Sequence, residues 1–167
     1  KLNGSSPNLE VETITIEDTV NNATFMKFNE NSGILLSHSD EATQISGICT
    51  KDMGTQTLQA GKVYYWSTSE TWLEADSNGT EDAASHMLGF AFAGGGSNSV
   101  GICLQGIVMI ESHDFTIGAP IYLSTNPGRT TTTVPTSGYA RIVGYAITEN
   151  AIYFDPDKTW VEIAATP

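Results

Sequence analysis

The stretch Leu58-Gln59-Ala60-Gly61-Lys62-Val63-Tyr64-Tyr65-Trp66-Ser67-Thr68 returns 57 residues later as Phe115-Thr116-Ile117-Gly118-Ala119-Pro120-Ile121-Tyr122-Leu123-Ser124-Thr125. In both copies a glycine opens a short run rich in aromatic and branched residues, and Ser-Thr closes it. That is the composition of a β-strand entered through a tight turn. Downstream, Leu88-Gly89-Phe90-Ala91-Phe92 is echoed by Val143-Gly144-Tyr145-Ala146-Ile147, 55 residues on. Upstream, Gly47-Ile48-Cys49 is echoed by Gly101-Ile102-Cys103, 54 residues on. Offsets that drift by a residue or two fit loops of unequal length. A unit of this size has too little apolar surface to stand alone, so two copies are expected to share one core.

Outward from these stretches, the chain alternates with period two rather than 3.6. Strands are expected at Thr24–Phe28, Gly33–Ser37, Gln44–Thr50, Lys62–Ser67, Met87–Ala91, Val100–Glu111, Ala119–Ser124, Gly138–Ile147, Ala151–Phe154 and Thr159–Ala164. Asn31-Ser32-Gly33, Asp76-Ser77-Asn78-Gly79, Gly94-Gly95-Gly96-Ser97-Asn98 and Asn126-Pro127-Gly128 supply the turns. Only Thr80–Met87 has helical character. The expected fold is all-β, a compact β-barrel or β-sandwich built from two related halves. Residues 1–20 form an N-terminal arm, and 21–167 a domain with its repeat over about 45–98 and 99–154. In the arm, Leu9 and Val11 fall on one side of the strand and Ile14 and Ile16 on the other, so a bulge or a strand end buried on both faces is expected.

The composition restricts partners. Nineteen acidic residues against seven basic ones give a formal charge of −12. Nucleic acid binding depends on Lys and Arg displacing counterions, so it is not expected. The same charge disfavours anionic lipid, and no apolar run is long enough to insert in a membrane as a helix. No basic n-region with an apolar h-region opens the sequence, and with Lys1 rather than Met first, export is left open. Cys49 and Cys103 lack metal-ligand spacing, which leaves two buried thiols or one bridge as alternatives.

No catalytic arrangement stands out. His38, His86 and His113 have no second ligand at helical or hairpin spacing. Gly94–Ser97 is neither a nucleophile elbow nor a phosphate loop, and reads as a hairpin loop. No cofactor is expected; a weak calcium candidate is the acidic loop holding Asp76, Asn78 and Glu81. Sequons at Asn3, Asn22 and Asn78 occur about as often as chance allows. Tyr64, Tyr65, Trp66 and Trp72 could form a platform for a surface glycan if Trp66 or Trp72 lay exposed beside Glu70 or Glu74. The expected assembly interface is Leu9, Val11, Ile14, Ile16, Tyr64, Trp66 and Trp72, with Tyr65 turned into the core.

The run Gly118–Thr130, with Arg141-Ile142-Val143-Gly144-Tyr145-Ala146, Ile152-Tyr153-Phe154-Asp155-Pro156-Asp157 and Trp160-Val161-Glu162, resembles the C-terminal β-module of tailed-phage virion proteins. Such modules occur in head fibres, capsid decorations and tail fibres. The resemblance implies a non-enzymatic structural protein at a virion surface, assembled with copies of itself and with other virion proteins. It carries no catalytic residues. The alternative reading is an extracellular filament whose subunits donate the arm, about Leu9–Val20, to a neighbour's sheet. A second alternative is a carbohydrate-binding module.

Overall fold

The computed structural model describes residues 13–18, 23–29, 33–35, 46–50, 53–110 and 113–164, and gives 46% strand against 6% helix. The expected all-β fold is therefore the observed one. Strands β1 (Thr13–Asp18), β2 (Ala23–Asn29) and β3 (Gly33–Leu35) make an antiparallel sheet in that order. They are followed by β4 (Ser46–Thr50), β5 (Thr57–Leu58), β6 (Lys62–Trp66), β7 (Trp72–Glu74), helix α1 (Glu81–Ser85), β8 (Leu88–Ala91), β9 (Gly95–Gly96) and a helical turn α2 (Ser97–Val100). The chain continues through β10 (Ile102–Met109), β11 (Pro120–Leu123), β12 (Thr130–Thr131), β13 (Gly138–Ala140), β14 (Ile142–Thr148), β15 (Ala151–Phe154) and β16 (Val161–Ile163). Nine strands form one large antiparallel sheet that curls into a half-barrel, in the order β12-β11-β14-β15-β10-β8-β6-β7 with β4 also on β10.

The segments that match in sequence occupy matching registers. Tyr64 faces Gly89 as Ile121 faces Gly144, and Val63 faces Phe90 as Pro120 faces Tyr145. The Gly61 N–H donates to the Ala91 carbonyl at 2.7 Å, and the Gly118 N–H to the Ala146 carbonyl at 2.7 Å. Gly61 and Gly118 have φ of +77° and +82°, a left-handed turn that a side chain would strain. The third correspondence brings its members face to face: Cys49 lies opposite Cys103 across β4 and β10.

Burial is not matched between the halves. A main core fills the concave side of the sheet, from Val63, Leu88, Phe90 and Cys103 through Val108, Ile121, Leu123, Val143, Ile152 and Phe154. A second cluster of Leu58, Tyr64, Trp72, Ala91 and Ile102 covers the other face of the β6–β8 region. Along β6, Val63 therefore enters one cluster and Tyr64 the other, as strand alternation requires.

Three local outcomes differ from the sequence reading. Gly138–Ile147, expected as one strand, divides at Arg141: β13 leaves to pair with β16 while β14 joins the main sheet. Arg141 is buried, and its guanidinium donates to the carbonyls of Ala84, His86 and Asp157, each at 2.7 Å. Burial lowers its pKa and the Asp157 carboxylate opposes that shift; an arginine stays charged regardless. The glycine run expected as a loop pairs Gly95–Gly96 with Thr57–Leu58. Trp72–Glu74 is a strand too short to show alternation. In the arm, β1 pairs with β2 within the chain and carries an irregularity between Ile16 and Glu17; Leu9 and Val11 lie outside the described residues.

Two alanine substitutions compare backbone strain alone with backbone strain and close packing together. At Gly118 an added Cβ meets open space, so Gly118→Ala should cost only the left-handed backbone, about 1 kcal/mol. At Gly144 the same atom would lie 2.1 Å from the Tyr153 carbonyl oxygen, so Gly144→Ala must push β14 and β15 apart and should cost about 3 kcal/mol. Urea unfolding of the two variants measures the difference.

Candidate interaction surface

Two of the three aromatic residues expected at an interface, Tyr64 and Trp72, are buried within the chain instead. Tyr64 and Trp72 are 4% and 2% exposed, and both belong to the second apolar cluster. Segment 53–59 holds them there: the Trp72 indole N–H donates to the Met53 carbonyl at 3.1 Å, the Trp72 N–H to Gln56 Oε1 at 3.0 Å, and the Gln59 N–H to the Tyr64 hydroxyl oxygen at 2.8 Å. Trp66 is half-buried and meets Trp72 edge to face, with ring centroids 5.1 Å apart. Alternation places Tyr64 and Trp66 on one face correctly, but that face is covered by the chain's own loop. Tyr65, turned the other way, packs half-buried against the main core. For Ile14 and Ile16 the structure describes the backbone of β1 only.

This geometry takes Trp72 and Glu74 out of the sugar platform drawn from sequence and leaves Trp66 half-buried. Trp72 offers no face to a ligand, and Glu74 is ion-paired with Lys62. In the calcium candidate, Asp76 Oδ1 accepts the Asn78 N–H at 2.8 Å, an Asx turn within its own loop. Among the described residues no three His, Cys, Asp or Glu side chains converge in a way that could hold a metal. His86 lies in the turn after α1, with Nδ1 3.0 Å from the Trp66 carbonyl oxygen and Nε2 3.2 Å from Asp82.

An apolar surface lies elsewhere, on the convex side of β10, β15 and β14. Val108, Ala146, Ile152 and Phe154 are fully buried. Alternation therefore sends their neighbours outward: Ile107, Met109, Tyr145 and Ile147 are exposed, at 37–42% each. Tyr153 lies between two of them, paired with Ile107 on one side and Tyr145 on the other. Pro120 extends the row beyond Tyr145. An antiparallel sheet with one wet face normally carries polar residues at these positions. Here an unbroken row, Ile107–Tyr153–Tyr145–Pro120, crosses four strands without a charge. The sequence reading did not single out this row, because alternation fixes which residues share a face and not which face is covered.

A cavity of about 600 Å³ opens near the end of β10, beside Gly61, Phe92, Met109, His113, Phe115 and Arg129. His113 stacks on Phe115 with centroids 4.7 Å apart, and its Nδ1 accepts the Phe115 N–H at 3.2 Å. No family model, curated protein or solved structure matches this chain.

The burial contrast between the tryptophans is measurable. Trp72→Ala should cost about 3–5 kcal/mol, since it empties a closed site and strands the Met53 carbonyl. Trp66→Ala should cost less than half of that. Denaturant midpoints with unchanged slopes check both.

Proposed function

We propose that this chain is a non-enzymatic structural protein of a virion surface, a capsid decoration or fibre subunit, and that it assembles through the convex face of β10, β15 and β14. The observation that carries the reading is the uncharged row from Ile107 to Pro120. Tyrosine, methionine and branched aliphatic side chains with no charge among them have the composition of an interface core, whereas the remainder of an acidic surface suits a solvated rim. The resemblance of Gly118–Glu162 to tailed-phage β-modules supports the virion setting, and much of that segment builds the strands beside the row. Copies of the same chain are the first partner and other virion proteins the second.

Strand donation by the arm is the competing reading. In this structure β1 already pairs with β2 along one edge, so donation would need its other edge or an exchange of partners.

The test is sedimentation velocity with negative-stain microscopy on the wild type, on Ile107→Lys/Tyr145→Lys, and on a form lacking residues 1–20. Assembly through the convex face predicts a discrete wild-type oligomer that the truncation leaves intact. The double variant should be monomeric, with a thermal midpoint within a few degrees of wild type, because both side chains already lie at the surface. A wild type monomeric at all concentrations would sink the proposal. Filaments that disappear on truncation would replace it with the strand-donor reading.

A further inference from the structure

We infer that Cys49 and Cys103 are a redox-convertible pair: a low-molecular-weight disulfide oxidises them to a cross-strand disulfide that fastens β4 to β10. The two residues are direct partners in the antiparallel ladder, so their side chains leave the same face of the sheet. Direct partners in such ladders have Cα atoms about 4.5–5.5 Å apart, within the about 4.4–6.8 Å span that a disulfide bridges. Both side chains pack on the main core, Cys103 fully buried and Cys49 half-buried. Both are free thiols in this structure.

Their environments divide the chemistry between them. A hydrogen bond from Cys103 lowers the Cys49 pKa, against the effect of burial. The same bond raises that of Cys103, and burial adds to it. Cys49, the more accessible of the two, is therefore the attacking thiolate. It displaces one thiol from the oxidant and becomes a mixed disulfide. Cys103 then attacks the Cys49 sulfur, loses its proton and releases the second thiol. Two protein thiols are oxidised by two electrons in all, and one oxidant disulfide is reduced to two thiols.

The mechanical consequence follows from topology. Among the described residues, β4 joins the nine-stranded sheet through its ladder with β10 from Ser46 to Thr50. A covalent link one pair from the end of that ladder joins residues 54 positions apart and removes much of the freedom of the unfolded chain between them.

The experiment treats the full chain, first reduced and desalted, with oxidised glutathione at neutral pH. Intact mass, a non-reducing peptide map and the thermal midpoint are then recorded. The expected results are a loss of two hydrogens without a glutathione adduct, a cross-linked peptide pair holding Cys49 and Cys103, and a midpoint raised on the order of 5–10 °C. Cys49→Ser, altered at the less buried position, should fold, remain unmodified at Cys103 and show no rise. A stable glutathione adduct on Cys49 with Cys103 still free would overturn the inference. So would two thiols that stay reduced under oxidant, or a disulfide that forms without raising the midpoint.

Discussion

The fold depends on one extra residue in β10. Cys103 and Val108 are five positions apart, an odd spacing that would send them to opposite faces of a regular strand, yet both lie in the main core. The ladder between β10 and β4 shifts between Cys103 and Gln105, which leaves Leu104 without a partner. That bulge resets the alternation. Before it, Cys103 faces the core beside Phe90; after it, Val108 faces the core beside Ile152. β4 runs along one edge of β10 throughout, so β8 and β15 must share the other, end to end. A single bulged strand thereby holds both halves of the sheet to one core.

Arg141 solves the matching problem at the other end of the second half. A strand continuing straight from Gly138 to Thr148 could not serve both β16 and the main sheet. The buried guanidinium fills the break by collecting carbonyls from α1, from the turn after it and from Asp157. Charge-assisted bonds of this kind are worth about 1.5–3 kcal/mol each, which offsets the cost of taking a cation out of water. Size matters as well as charge: only a long side chain with a fork of donors reaches three carbonyls on separate segments.

What the sequence made legible was local. Period-two alternation located most strands, and Ala151–Phe154 was bounded correctly because Ala and Phe sit between clear turn residues. The common phase of Tyr64 and Trp66 was also legible, since alternation alone decides it. What covers that face was not, because the cover is segment 53–59, held by the bonds that Gln56 and Met53 make to Trp72. No periodicity encodes a loop folding back over a strand. The break at Arg141 and the bulge at Leu104 escaped for the same reason: each lies inside an apolar run and answers to tertiary partners. Tyr64 and Trp72, expected at a surface, lie on a face that the chain itself occupies.

The two halves thus share backbone pairing but differ in what each leaves uncovered. Phe90 and Tyr145 hold corresponding places opposite Val63 and Pro120, yet Phe90 is 1% exposed and Tyr145 is 42% exposed. The first half is covered on one face by its own segment 53–59 and on the other by the core it shares with the second half. The second is closed on the concave side alone. Charge then bears on what can cover it. A net −12 resists the approach of a second copy, but that repulsion is screened over about 8 Å at physiological ionic strength. Apolar attraction acts at contact, where the row from Ile107 to Pro120 carries no carboxylate of its own and the neighbouring Asp155 accepts from Gln105 at 3.0 Å. Association of like-charged copies is therefore favoured only in an orientation that joins these rows and leaves the acids at the rim. On the proposed assembly, the same repulsion would select the orientation in which copies join.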